Sequence, residues 1–112
     1  MDIAIIDYGA GNIKSIQFAF NRLGYDAILT NNPDQIKNAD KVIFPGVGEA
    51  GHAMDMLQES GLDTVIPTLK QPVLGICLGL QLMCKHSEEG DTECLGIFDN
   101  SVVKYSLPFS CV

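Results

Sequence analysis

At 112 residues the chain has room for one small domain, and a chain of this size buries roughly two-thirds of its unfolded surface. With 46% hydrophobic and 19% charged residues it reads as a folded globular chain rather than a disordered one. The net charge of −7, with seven basic residues that never form a run, argues against a nucleic-acid footprint, which needs clustered Lys and Arg. The opening MDIAIIDYG has no basic segment followed by a long apolar stretch, so no secretory signal is read. Every apolar run is far shorter than the ~20 residues of a membrane helix. Cys77, Cys84, Cys94 and Cys111 make no CxxC pair, and reduced thiols in a cytoplasmic protein are the expectation.

In chain order, Ile3 to Ile6 is an apolar run meeting a turn at Asp7-Tyr8-Gly9, as in a buried strand. Asn12 is placed to cap a helix with an apolar face of Ile13, Ile16, Phe20 and Leu23, stopped at Gly24. Ala27 to Leu29 is a second strand, and Asn32-Pro33-Asp34 opens a short helix ending near Ala39-Asp40. Val42 to Phe44 is a third strand, closed by Pro45-Gly46-Val47-Gly48. Ala50, Ala53, Met54 and Leu57 recur at helical spacing up to Gly61, and Pro67 breaks the apolar pattern that follows. Val73 to Ile76 is a fourth strand running into a Leu- and Met-rich helix to about Lys85. A polar loop spans His86 to Leu95, and Val102 to Tyr105 is a last strand after the Asp99-Asn100 turn. Strand and helix alternate four times, which predicts an α/β fold with a parallel sheet and helices on both faces. Ligands of such sheets sit outside the carboxyl ends of the strands. Gly9-Ala10-Gly11, Gly46-Val47-Gly48 and Gly75 to Gly79 all fall there.

Gly75-Ile76-Cys77-Leu78-Gly79 is a G-x-C-x-G between a strand and a helix, the thiol version of a nucleophile elbow. Such a turn forces the nucleophile into an unfavourable backbone conformation, and glycines two residues to either side remove side chains that would clash. The sulfur is then exposed at a helix N-terminus, where the helix dipole favours thiolate. The Leu78 N–H is suited to stabilise an oxyanion on the attacked carbonyl. A free cysteine out of context is most often buried and structural; the strand, glycine and helix context points to catalysis instead. Gly9-Ala10-Gly11 is no dinucleotide fingerprint, because Lys14 stands where the third glycine belongs.

The run Leu74 to Met83 resembles the signature of the class I (triad-type) glutamine amidotransferases. Asp7 to Asn12 and Phe44 to Gly48 narrow the resemblance to the glutaminase subunits of imidazole glycerol phosphate synthases. Ser87 to Gly90 and Gly96 to Val103 also fit, so the resemblance covers about residues 1 to 105, with a divergent tail over 106 to 112. It implies a flavodoxin-like amidotransferase fold of which this chain is the N-terminal part of a single domain, with the C-terminal half missing. Cys77 would attack the glutamine side-chain amide to give a glutamyl thioester. Gly46, Val47 and Gly48 would be the oxyanion strand, acting with Leu78, and Gln81 would help hold glutamine. The ammonia would pass to a separate synthase (cyclase) subunit for histidine biosynthesis, with the Tyr8 to Asn12 loop near that interface. No cofactor or metal is implied.

The family completes a Cys-His-Glu triad from its C-terminal half. Only His52 and His86 are present here. His86 lies nine residues past Cys77, roughly 13 Å away along a continuous helix, too far to be the base. His52 reads as an exposed residue in the first turn of its helix. Cys84-Lys85-His86 is a weak metal hint, more simply a packed Cys beside a surface His. The family's Pro-His segment after the last strand is replaced by Pro108-Phe109-Ser110-Cys111-Val112, which suggests a truncated, frameshifted or replaced end. The 112 residues alone are therefore expected to be inactive. Two alternatives stay open: another triad-type amidotransferase or cysteine hydrolase, and a non-catalytic flavodoxin-like binding module with a structural Cys77.

Overall fold

The computed structural model describes residues 1–9, 13–88, 91–99 and 101–102. The proposed Asn12 cap, the Gly9-Ala10-Gly11 turn beyond Gly9, most of the expected last strand and the tail with Cys111 lie outside them.

Strand β1 (Ile3–Ile6) is buried on all four residues, as a run apolar on both faces requires. Its alternate side chains enter two cores. Ile3 and Ile5 join Ala27 and Ile43, and Ile13, Ile16 and Phe20 of helix α1 (Ile13–Arg22) pack against them. Ala4 and Ile6 join Val42 and Phe44 on the other face, under α2 (Pro33–Asn38), α3 (Ala50–Ser60) and α4 (Leu78–Met83). The expected α1 face holds except at Leu23, which lies past the helix and is 72% exposed. Burying side chains as large as Ile5, Phe44 and Leu57 stabilises the fold by roughly 1.5–3 kcal/mol each.

Strands β2 (Ala27–Thr30), β3 (Lys41–Phe44) and β4 (Val73–Gly75) complete a four-stranded sheet of order β2-β1-β3-β4, parallel throughout. The strand order reverses at β1, and the flavodoxin-like architecture follows, with its switch point between β1 and β3, where ligands of such sheets bind at the carboxyl ends. The helix ends carry the chemistry the sequence announces. The Asn32 side chain accepts from the N–H groups of Asp34 and Gln35, Pro33 opens α2, and Gly61 ends α3 at φ 76°. After Pro67 only a 3₁₀ turn survives, Ile66–Thr68.

Two expectations change. Helix α4 stops at Met83 rather than continuing to Lys85, and the expected loop from His86 contains paired backbone. Strand β5 (His86–Ser87) runs antiparallel to β6 (Thr92–Glu93) and parallel to β7 (Ser101–Val102) in a small second sheet. The reason is visible in the main chain at the end of α4. The N–H groups of Leu95, Phe98 and Gly96 donate to the carbonyls of Leu82, Met83 and Cys84 at 2.8–2.9 Å. Those carbonyls lack helical partners, and the returning chain satisfies them.

Candidate active site

Strand β4 delivers the chain to Cys77 alongside the end of β3, the Ile76 N–H donating to the Phe44 carbonyl at 3.0 Å. Cys77 then takes φ 54° and ψ −120°, a conformation costly for any residue with a side chain. Immediately beyond it, the Cys77 carbonyl accepts from the N–H groups of Leu80 (3.1 Å) and Gln81 (3.3 Å), so the helix begins on Cys77 itself. The thiol is exposed. Gln81, four residues on in α4, is half-buried.

The elbow glycines stand where the backbone approaches closely. A Cβ on Gly79 would fall 1.9 Å from the Phe44 carbonyl oxygen and 2.7 Å from its carbon. A Cβ on Gly75 would lie 2.8 Å from Leu80 Cα. Gly79 thus lets α4 dock on the end of β3, and Gly75 lets β4 pass under the first turn of α4.

The segment after β3 faces this elbow. A Cβ on Gly46 would lie 3.1 Å from both the Gly79 nitrogen and Leu78 Cβ, and 2.5 Å from the Tyr8 hydroxyl oxygen. Val47 is exposed, and Gly48 takes φ 107°, a left-handed conformation suited to glycine. The Leu78 N–H, expected to be an oxyanion donor, gives its hydrogen bond to the Gly46 carbonyl at 3.0 Å. In this state the donor is occupied by the strand that the sequence pairs it with.

Glu49, next along, caps α3: its carboxylate accepts from the backbone N–H of Gly51 (2.9 Å) and His52 (3.2 Å). His52 sits exposed in that first turn, as expected. His86 is outside any helix, and its Nε2 pairs with Asp91 Oδ1 at 2.8 Å. Among the described residues no cluster of three or more His, Cys, Asp or Glu is arranged to hold a metal ion, Cys84 and His86 included. Burial pushes the Cys94 thiol up from its ordinary value, and neighbouring Cys84 adds to it.

The sequence reading uses Tyr8 only within the Asp7 to Asn12 motif and its expected interface loop, and gives its side chain no role at the site. It is 6% exposed, its hydroxyl donates to the Pro45 carbonyl at 2.8 Å, and burial pushes its pKa up to about 12. The one signal available was a tyrosine ending an apolar strand, since a buried phenol needs a partner.

Parallel sheet, strained exposed thiol and facing glycine strand define a class of protein. The family profile described as glutamine amidotransferase class-I matches residues 4–105, and the chain belongs to that family. It is 57% identical over 106 residues to the Bacteroides fragilis (strain YCH46) protein named imidazole glycerol phosphate synthase subunit HisH, covering 95% of this chain and 54% of that one. The proteins of the same name from Staphylococcus saprophyticus and Haemophilus influenzae (strain Rd) are 50% and 53% identical, over 96% and 87% of this chain and 54% and 49% of theirs. The chain thus spans about half the length of the curated relatives it matches. A solved structure described as a crystal structure of glutamine amidotransferase shares the fold, with a TM-score of 0.74 at 19% identity, covering 89% of this chain and 55% of that one.

Proposed function

We propose that these residues form the nucleophile-bearing part of the glutaminase subunit of an imidazole glycerol phosphate synthase, which releases ammonia from glutamine for histidine biosynthesis in the cytoplasm. The observation that carries this reading is Cys77, an exposed thiol at φ 54° where β4 turns into α4 at the carboxyl edge of the sheet. Strain at such a position persists only where the surroundings enforce it, and it gathers at functional sites. The similarity to subunits named for that synthase supports glutamine as the substrate and a synthase subunit as the partner.

In this mechanism the Cys77 sulfur attacks the side-chain amide carbon of glutamine, and the C–S bond forms as the carbonyl electrons move to oxygen. The Leu78 N–H stabilises that oxyanion once the Gly46 carbonyl withdraws from it. Turning the Gly46–Val47 peptide removes this carbonyl and brings the Val47 N–H toward the same place. Collapse expels the nitrogen as ammonia after protonation and leaves a glutamyl thioester, which water cleaves to glutamate. Gln81 of α4 contacts the bound glutamine, and the Asn12 loop faces the synthase (cyclase) subunit that consumes the ammonia. The proton transfers require a base that His86, paired to Asp91, does not supply.

The test uses the complete subunit with its synthase partner. Cys77→Ala is expected to abolish glutamine-dependent synthesis while synthesis from added ammonia continues, and an electrophilic glutamine analogue should label Cys77 in the parent. Equal loss of both activities, or label on Cys84 or Cys94 with Cys77 unmodified, would reject the assignment.

A further inference from the structure

We propose that Tyr8 is a positioning residue for the oxyanion strand, its hydroxyl clamping the Pro45 carbonyl so that only the following peptide, Gly46–Val47, turns during the reaction. The inference rests on the amidotransferase reading of Cys77. Tyr8 reaches the strand from the end of β1, and Pro45 is 37 positions further along the chain. The phenol is itself held: its ring lies 5.6 Å from that of Phe44 at an interplanar angle of 55°, and the side chain is buried. Its raised pKa keeps the hydroxyl protonated, and so a donor, at any pH where the enzyme works.

Each bond of the segment has a defined freedom. Proline's ring fixes φ at residue 45, and the Tyr8 bond fixes the carbonyl that follows. Beyond it Gly46 has no Cβ, because one would lie 2.5 Å from the same hydroxyl oxygen, and the Val47 side chain is 56% exposed and held by little packing. The Gly46 carbonyl accepts from the Leu78 N–H, the bond that must exchange for substrate. Rigid on one side of Gly46 and loose on the other, the strand can turn a single peptide without sliding along the elbow. A tyrosine that merely filled the core would not need its hydroxyl.

Tyr8→Phe removes only that oxygen and is measured in the complete subunit bound to its synthase partner. Losing one neutral hydrogen bond is expected to lower kcat for glutamine hydrolysis about three- to tenfold. KM should stay within about twofold, since ground-state binding is untouched. Alkylation of Cys77 by iodoacetamide should keep its rate, because that substitution needs no oxyanion donor. Hydrogen exchange over residues 46–48 should quicken. Unchanged kcat together with unchanged exchange would overturn the proposal. So would a parallel fall in Cys77 alkylation and thermal stability, which would mark Tyr8 as a support of the elbow rather than of the strand. If the parent hydrolyses no glutamine, the amidotransferase reading fails, and the exchange measurement still decides whether Tyr8 clamps Pro45.

Discussion

A methyl group on residue 79 would sit 1.9 Å from the Phe44 carbonyl oxygen, and neither backbone segment has a side chain that can move aside. Gly79→Ala in the complete subunit is therefore expected to cost roughly 3 kcal/mol of stability, the upper end for overpacking, and to carry Cys77 out of place. The midpoint of urea unfolding checks it, and a loss below about 1 kcal/mol would mean that α4 undocks freely from β3. Gly75→Ala should cost less, since one of its close contacts is the flexible Met83 sulfur. At this scale the strained turn at Cys77 and its two glycines were legible because the requirement lies in residue identity and spacing within five consecutive positions. The Phe44 backbone that Gly79 approaches was not, since it lies outside those positions. The Tyr8 side chain went unread for the same reason, because nothing local names a carbonyl 37 residues away.

Helix α2 is six residues long, too short to hold itself together, and both ends are secured from outside. Asn32 caps the start. At the other end the Gln71 side-chain nitrogen reaches the carbonyls of Ile36 (2.8 Å), Ala39 (3.1 Å) and Lys37 (3.3 Å). Gln71→Ala is expected to destabilise the protein by about 1–2 kcal/mol, because these carbonyls lose their donor in a partly buried setting. Chemical denaturation reads the loss, and an unchanged midpoint would show that water replaces the amide at no cost. The elements themselves were largely legible. Apolar periodicity, Asn32-Pro33, Gly61 and Pro67 set boundaries that the structure matches within a residue or two. The small second sheet was not, since strands of two residues such as β5 and β6 carry no period, and their pairing depends on how α4 ends.

At the scale of the molecule, the sheet has β2 at one edge and β4 at the other. Leu74 of β4 is 55% exposed and Ile28 of β2 is 44% exposed, beside an α1 none of whose residues is fully buried. An open parallel edge next to exposed aliphatic side chains invites pairing with another chain. The 112 residues expressed alone are therefore expected to sediment as associated species and to release no glutamate from glutamine, even with the synthase subunit added. A monomer that hydrolyses glutamine, and stops doing so on His52→Ala, would contradict this and make His52 the base. The parallel architecture was legible from the alternation of strand and helix; which strand stands at an edge depends on pairing order, which no local pattern encodes. The strap of Leu95, Gly96 and Phe98 across the end of α4 also bears on the protein's birth. Chains are made from the N-terminus, so Cys77 emerges from the ribosome before the residues that steady its short helix. Until they follow, a six-residue helix cannot keep the cysteine at its strained angle. A nascent chain is expected to carry the Cys77 thiol in a relaxed backbone conformation until that strap has formed.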